Sequence, residues 1–66
     1  MKQFKDILKE KRKALKLDQY ELAEAIGTYQ ATVTSWETGK RYPSFMLLSC
    51  LADFFKCSVD ELMGRA

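Results

Sequence analysis

The middle of this chain is rich in side chains that hydrogen-bond and poor in side chains that catalyse. Residues 30 to 36 read QATVTSW, so the amide of Gln30 and the hydroxyls of Thr32, Thr34 and Ser35 crowd into one short stretch. The chain contains no histidine, which removes the usual general base near neutral pH. Asp18, Glu21 and Glu61 stand at helix-capping spacings, and Glu24, Asp53 and Asp60 read as solvated surface, so no carboxylate pair is set around a pocket. No phosphate-cradling glycine loop is present. Cys50 and Cys57 offer too few soft ligands for a tetrahedral zinc site within one chain; they read as reduced, small apolar residues, with a redox switch or a disulfide as the alternative. Catalysis, metals and cofactors are therefore not expected, and molecular recognition is.

QATVTSW poses a structural puzzle of its own. Thr32, Val33 and Thr34 are β-branched and nearly alternate with other types, as a strand would, yet every other segment reads as helix. A lone strand would have no partner for its backbone hydrogen bonds, so packing must override propensity. Wound as a helix, residues 28 to 38 put Val33 and Trp36 on one face with Glu37 beside them. Ala31, Thr34, Ser35 and Thr38 then follow i, i+3, i+4, i+7 on the opposite face. The segment becomes helix three, anchored by two apolar residues and showing solvent a row of short side chains.

The neighbouring elements carry clearer signals. Phe4, Ile7, Leu8 and Leu15 recur among charges and predict an amphipathic helix one over residues 2 to 15. Asp18 followed by Glu21 is a capping box that starts helix two at Gln19; this helix buries Leu22, Ala23 and Ile26 and ends at Gly27. After Pro43, Ser44 caps helix four, whose Phe45, Leu47, Leu48, Leu51, Ala52, Phe54 and Phe55 predict a central, largely buried element. Ser58 and Glu61 repeat the capping-box spacing and open a short fifth helix with Val59, Leu62 and Met63, closed by Gly64.

Size and charge bound the rest. Sixty-six residues make one domain, and a domain of this size buries only about 60% of the surface its unfolded chain exposes. At 47% hydrophobic and 30% charged, the composition is that of a folded globular domain. No signal peptide is visible and the run FMLLSCLA is too short to span a bilayer, which places the chain in the cytoplasm. The net charge is only +2, yet Lys2, Lys5, Lys9, Lys11, Arg12, Lys13 and Lys16 crowd the first sixteen positions. Such a cluster suits a polyanion or simply keeps a helix solvated.

Two helices joined by a tight turn after glycine, the second with a small-residue outer face, describe a helix-turn-helix. The run LDQYELAEAIGTYQATVTSWETGKRYPS resembles the Cro and phage-repressor type of helix-turn-helix, the xenobiotic-response-element family, whose pattern is roughly L-T-Q-E-E-L-A-E-x-x-G-V-S-x-x-T-I-S-x-W-E-x-G-x-x-x-P-S. LADFFKCSVDELM continues the match through the closing L-A-x-x-L-x-V-S-x-D-E-L-L, so the resemblance covers nearly the whole chain. It implies an all-α, compact five-helix, lambda-repressor-like domain over residues 1–66, with the helix-turn-helix at about 19–38.

The resemblance also implies roles. Gln19 caps the motif and meets a DNA phosphate, and Ala23 lets helices two and three cross closely. Gln30, Ala31, Thr34 and Ser35 enter the major groove, Tyr29 and Thr38 lie towards the backbone, and Lys40, Arg41 and Tyr42 supply phosphate contacts. Arg12 pairs with Glu37 and fixes helix three against helix one. Gln30 pairs bidentately with an adenine, a contact worth about 1 to 3 kcal/mol of discrimination; Ala31 and the Thr34 methyl touch a thymine methyl, and the Thr34 and Ser35 hydroxyls serve several bases. Two departures from the pattern bear on these roles. Tyr29 stands where Ser or Thr usually caps, leaving Thr28 or water to do so, and Tyr20 stands where a charged residue is common; each lies against a sugar or phosphate, or is simply an exposed aromatic.

The implied function is a prokaryotic or phage transcriptional regulator, a repressor, that binds double-stranded operator DNA as a homodimer on two half-sites roughly 34 Å apart. No membrane or small-molecule partner is expected. The apolar surplus of Phe55, Val59, Leu62 and Met63 nominates the dimer interface. A protein-interaction or antitoxin-like accessory module on the same scaffold is the alternative.

Overall fold

The computed structural model describes residues 2–65. Helices α1 (Phe4–Ala14), α2 (Gln19–Ile26), α3 (Gln30–Glu37), α4 (Phe45–Phe55) and α5 (Val59–Leu62) follow in order, and there is no strand among the described residues. The strand-like run QATVTSW is helical over its whole length. Val33 and Trp36 are buried and Glu37 is buried beside them, so the anchoring expected of helix three holds.

The core gathers Phe4 and Leu8 from α1, Leu22 and Ala23 from α2, Val33 and Trp36 from α3, Leu51 and Ala52 from α4 and Leu62 from α5. α2 packs against α3, α1 crosses α3, and α4 and α5 close the structure against α2 and α1. Ile26 is half-buried at the edge of this core rather than inside it.

Both expected caps on α2 and α4 are made. Asp18 Oδ1 accepts from the Glu21 N–H at 2.7 Å while Glu21 Oε1 accepts from the Asp18 N–H at 2.9 Å, and Ser44 Oγ accepts from the Leu47 N–H at 3.3 Å. At α5 only half of the capping box forms. Ser58 Oγ accepts from the Glu61 N–H at 3.0 Å, but the Glu61 carboxylate accepts from Lys11 Nζ at 2.8 Å instead of turning back to Ser58. α2 ends in a Schellman turn: Gly27, at φ 81°, donates to the Glu24 carbonyl, and the Thr28 N–H donates to the Ala23 carbonyl at 2.8 Å. The same left-handed turn follows α1 and α4, but there Lys16 (φ 59°) and Lys56 (φ 55°) occupy the position that favours glycine.

Three expectations need correction. Leu15 is 51% exposed and lies outside the α1 stripe, because the helix ends at Ala14 and the chain turns away through Lys16; Arg12, at i+8 from Phe4, takes the buried place. α4 is not central: only Leu51 and Ala52 are buried, while Phe45 and Met46 are 79% and 78% exposed. Leu62 is fully buried in the chain's own core, which removes it from the nominated dimer interface; Phe55, Val59 and Met63 remain half-buried around it.

Candidate nucleic-acid interface

The outer face of α3 is held by a polar network that begins two elements away, on α1. Arg12 Nε donates to Glu37 Oε2 at 2.7 Å and Arg12 donates from a terminal nitrogen to Glu37 Oε1 at 2.9 Å, a two-pronged pair of the geometry arginine forms best. Its other terminal nitrogen donates to the Leu17 carbonyl at 2.8 Å and so ties the α1–α2 connection to the same point. Gln19 Nε2 donates to Glu37 Oε1 at 3.0 Å, and Thr34 Oγ1 donates to Gln19 Oε1 at 2.6 Å. The chain of bonds runs from α1 through α3 to α2 and back to α3. Among the described residues no buried side-chain nitrogen or oxygen is left without a partner.

Burial of a charged pair is tolerable only under such full satisfaction. Burial pushes the Glu37 carboxyl up, but hydrogen bonds from Arg12 and Gln19, with the charges of Arg12 and Lys9, outweigh it and hold Glu37 below its ordinary range. The hydrogen bond to Glu37 raises the Arg12 guanidinium further. Both groups stay charged, and α3 stays locked to α1.

Gln19 differs from its implied role. Asp18 is the N-cap of α2, and the Gln19 side chain is turned inward with both ends engaged by Glu37 and Thr34. The amide donates to a carboxylate at its nitrogen and accepts from a hydroxyl at its oxygen, so Gln19 is a positioning residue in this conformation.

The recognition row itself is sorted by which groups are spent. Thr34 donates to Gln19, Ser35 Oγ donates to the Thr32 carbonyl at 2.7 Å, and Thr38 Oγ1 donates to the Thr34 carbonyl at 2.9 Å. These hydroxyls keep acceptor lone pairs for an incoming partner but no spare proton, and the two threonines keep their methyl groups. The Gln30 amide has no side-chain partner among the described residues and is exposed, as is Ala31. It alone brings both free donors and a free acceptor. Tyr29 is the N-cap of α3, makes no capping bond, and is 80% exposed; Thr28 makes none either, so the first amides of α3 carry no side-chain cap.

The loop after α3 frames one side of this face. The Lys40 and Arg41 N–H groups both donate to the Ser35 carbonyl, at 3.0 and 3.2 Å, which folds the two cations against the end of α3. Both side chains are exposed, and no acidic side chain pairs with either among the described residues. Tyr42 packs its ring 5.7 Å from Phe4 and stays 66% exposed. Lys5 lines the same concavity as Gly39, Arg41 and Tyr42, a placement that its membership of an evenly charged helix did not single out. Within the basic cluster, Lys2 pairs with Glu10 and Lys11 with Glu61, both at 2.8 Å, whereas Lys5 and Lys9 pair with no acidic side chain among the described residues.

Three comparisons place this geometry among known proteins. The family profile described as helix-turn-helix matches residues 8–62. The HTH-type transcriptional activator BcrR of Enterococcus faecalis is 34% identical over 94% of this chain, which spans only 30% of that protein. The cryptic phage CTXphi transcriptional repressor RstR of Vibrio cholerae is 34% identical over 92% of the chain, which spans 54% of it. In three dimensions the P22 c2 repressor, solved in complex with a synthetic operator, superposes with a TM-score of 0.92 over 100% of both chains at 24% identity, a likeness of fold. No helix among the described residues is long and apolar enough to cross a membrane.

Proposed function

The chain belongs to the helix-turn-helix family, and on that premise we propose that residues 1–66 act as one module that recognises operator DNA through the outer face of α3 and thereby represses transcription in the cytoplasm. Family and relatives together indicate a DNA-binding regulator and not an enzyme. The observation that carries the proposal is the Arg12–Glu37–Gln19–Thr34 network, which braces α3 with Gln30, Ala31 and Thr38 exposed and Thr34 and Ser35 half-buried on its outer side. Gln30 reads an adenine edge, Ala31 and the Thr34 methyl meet thymine methyls, and Ser35 accepts from an exocyclic amine. Tyr29, Thr38, Lys40, Arg41 and Tyr42 contact the backbone, joined by Lys5.

One module offers few base contacts, so a homodimer on a palindromic site supplies useful specificity. Phe55, Val59 and Met63 form its surface, without Leu62. A salt titration with wild-type protein and Gln30→Ala tests the proposal. Affinity for duplex DNA falls steeply as salt rises, by a log–log slope of about 0.9 per phosphate neutralised, and Gln30→Ala relaxes preference at one base position by about 1 to 3 kcal/mol. Equal loss at every position would make Gln30 a backbone contact and contradict the assignment.

A further inference from the structure

Tyr20 and Tyr29 both depart from the pattern the helix-turn-helix resembles, and both line one concavity. With Ala23, Glu24, Thr28 and Gln30 they line an open concavity of about 410 Å³ over the turn between α2 and α3. That volume lies within the range of roughly 300 to 1,000 Å³ found for small-molecule pockets. Tyr20 and Tyr29 are 56% and 80% exposed. The Tyr20 hydroxyl donates to Glu24 Oε2 at 3.2 Å and holds that carboxylate beside the cleft.

The lining dictates the occupant. Glu24 is the one charged residue among those that line it, so the cleft favours a cation over a small anion. Two tyrosine rings line the cleft, and an aromatic face attracts a cation; the Glu24 carboxylate at the same cleft adds a full opposite charge. We propose that this cleft binds a planar organic cation, a quaternised or protonated heteroaromatic compound, and that occupancy excludes DNA because Tyr29 and Gln30 wall the cleft. The exclusion rests on the DNA-binding reading; the cation site stands without it.

The test begins on DNA-free protein, titrated with N-methylquinolinium and followed by amide chemical shifts. The shifts saturate and centre on Tyr20, Glu24, Thr28 and Tyr29. Glu24→Gln and Tyr29→Ala each weaken binding about two- to fivefold, the contribution expected of one exposed charge or one ring. Neutral 4-methylquinoline, in mildly alkaline buffer, binds more weakly than the cation. Both side chains are exposed, so neither variant threatens the fold. A neutral analogue that binds equally well, a Glu24→Gln variant that binds as tightly as wild type, or shifts centred elsewhere would overturn the site. With a labelled duplex, N-methylquinolinium then raises the apparent Kd of wild type more than that of Glu24→Gln, a difference that cancels any effect of the cation on DNA itself. An equal effect on both overturns the exclusion and leaves the site; failure to bind any duplex removes the DNA reading and the exclusion with it, while the DNA-free titration still decides the site.

Discussion

α1, FKDILKEKRKA, and α4, FMLLSCLADFF, are the same length and opposite in chemistry, the first mostly charged and the second mostly apolar. Their burial does not follow that contrast. α1 sends Phe4, Leu8 and even Arg12 into the interior, whereas α4 buries only Leu51 and Ala52 and leaves Phe45 and Met46 in solvent. The difference is one of position. α1 lies across α3, where every group on its inner face finds a partner, including a carboxylate for Arg12. The start of α4 follows a loop, and there Phe45 and Met46 are left exposed while Leu47 and Leu48 pack half-buried against the core. Hydropathy states what a helix can bury, and the arrangement of its neighbours decides what it does bury.

If the charged helix is the better integrated, breaking its one buried ion pair should do the most damage. Glu37→Gln strands the Arg12 guanidinium and is expected to cost about 3 to 5 kcal/mol, measured as a shift of the urea unfolding midpoint. For a domain of this size, whose total stability is on the order of 3 to 10 kcal/mol, much of the protein would be unfolded. The effect depends on pH in a definite sense. Because the folded Glu37 carboxyl lies below its ordinary value of 4.5, its contribution is complete above that pH and is lost as pH falls through the folded value. The stability gap between wild type and Glu37→Gln should therefore narrow on acidification, and a gap that stays constant into strong acid would contradict this account.

On α4 the two ends should behave differently. Leu51→Ala removes its large buried side chain and is expected to cost about 2 to 5 kcal/mol. Lys56→Gly acts at the end of the same helix in the opposite direction, since relief of the left-handed strain exceeds the entropy lost to glycine; thermal denaturation should show a gain of about 0.5 to 1 kcal/mol. Phe45→Ser should change stability by less than about 0.5 kcal/mol despite deleting a phenyl ring. A loss as large as that of Leu51→Ala would mean that the first turn of α4 is covered after all.

Much of this was legible in the sequence because local chemistry was unambiguous. The Asp18–Glu21 box, the Ser44 cap and the Gly27 turn each depend on residues a few positions apart, and all three formed as expected. The pairing of Arg12 with Glu37 came through resemblance, since nothing in spacing joins residues so distant along the chain. What was not legible depended on which face met which neighbour. Leu15 had the right period but fell past the end of its helix; Leu62 looked surplus until the core closed over it; Gln19 was expected to cap α2, a role that Asp18 takes, and its amide instead bridges Glu37 and Thr34. On the outer face of α3, Gln30, Ala31 and Thr38 are exposed while Thr34 and Ser35 are half-buried, and the structure shows which of their hydrogen-bonding groups are already spent.

The central claim is that this network-braced face reads DNA. Selection of duplexes from a random pool by the full chain measures it directly: the account predicts enrichment of a palindrome whose half-sites lie about one helical turn, roughly 34 Å, apart. A pool that remains unenriched at low salt, where backbone contacts are strongest, would contradict it.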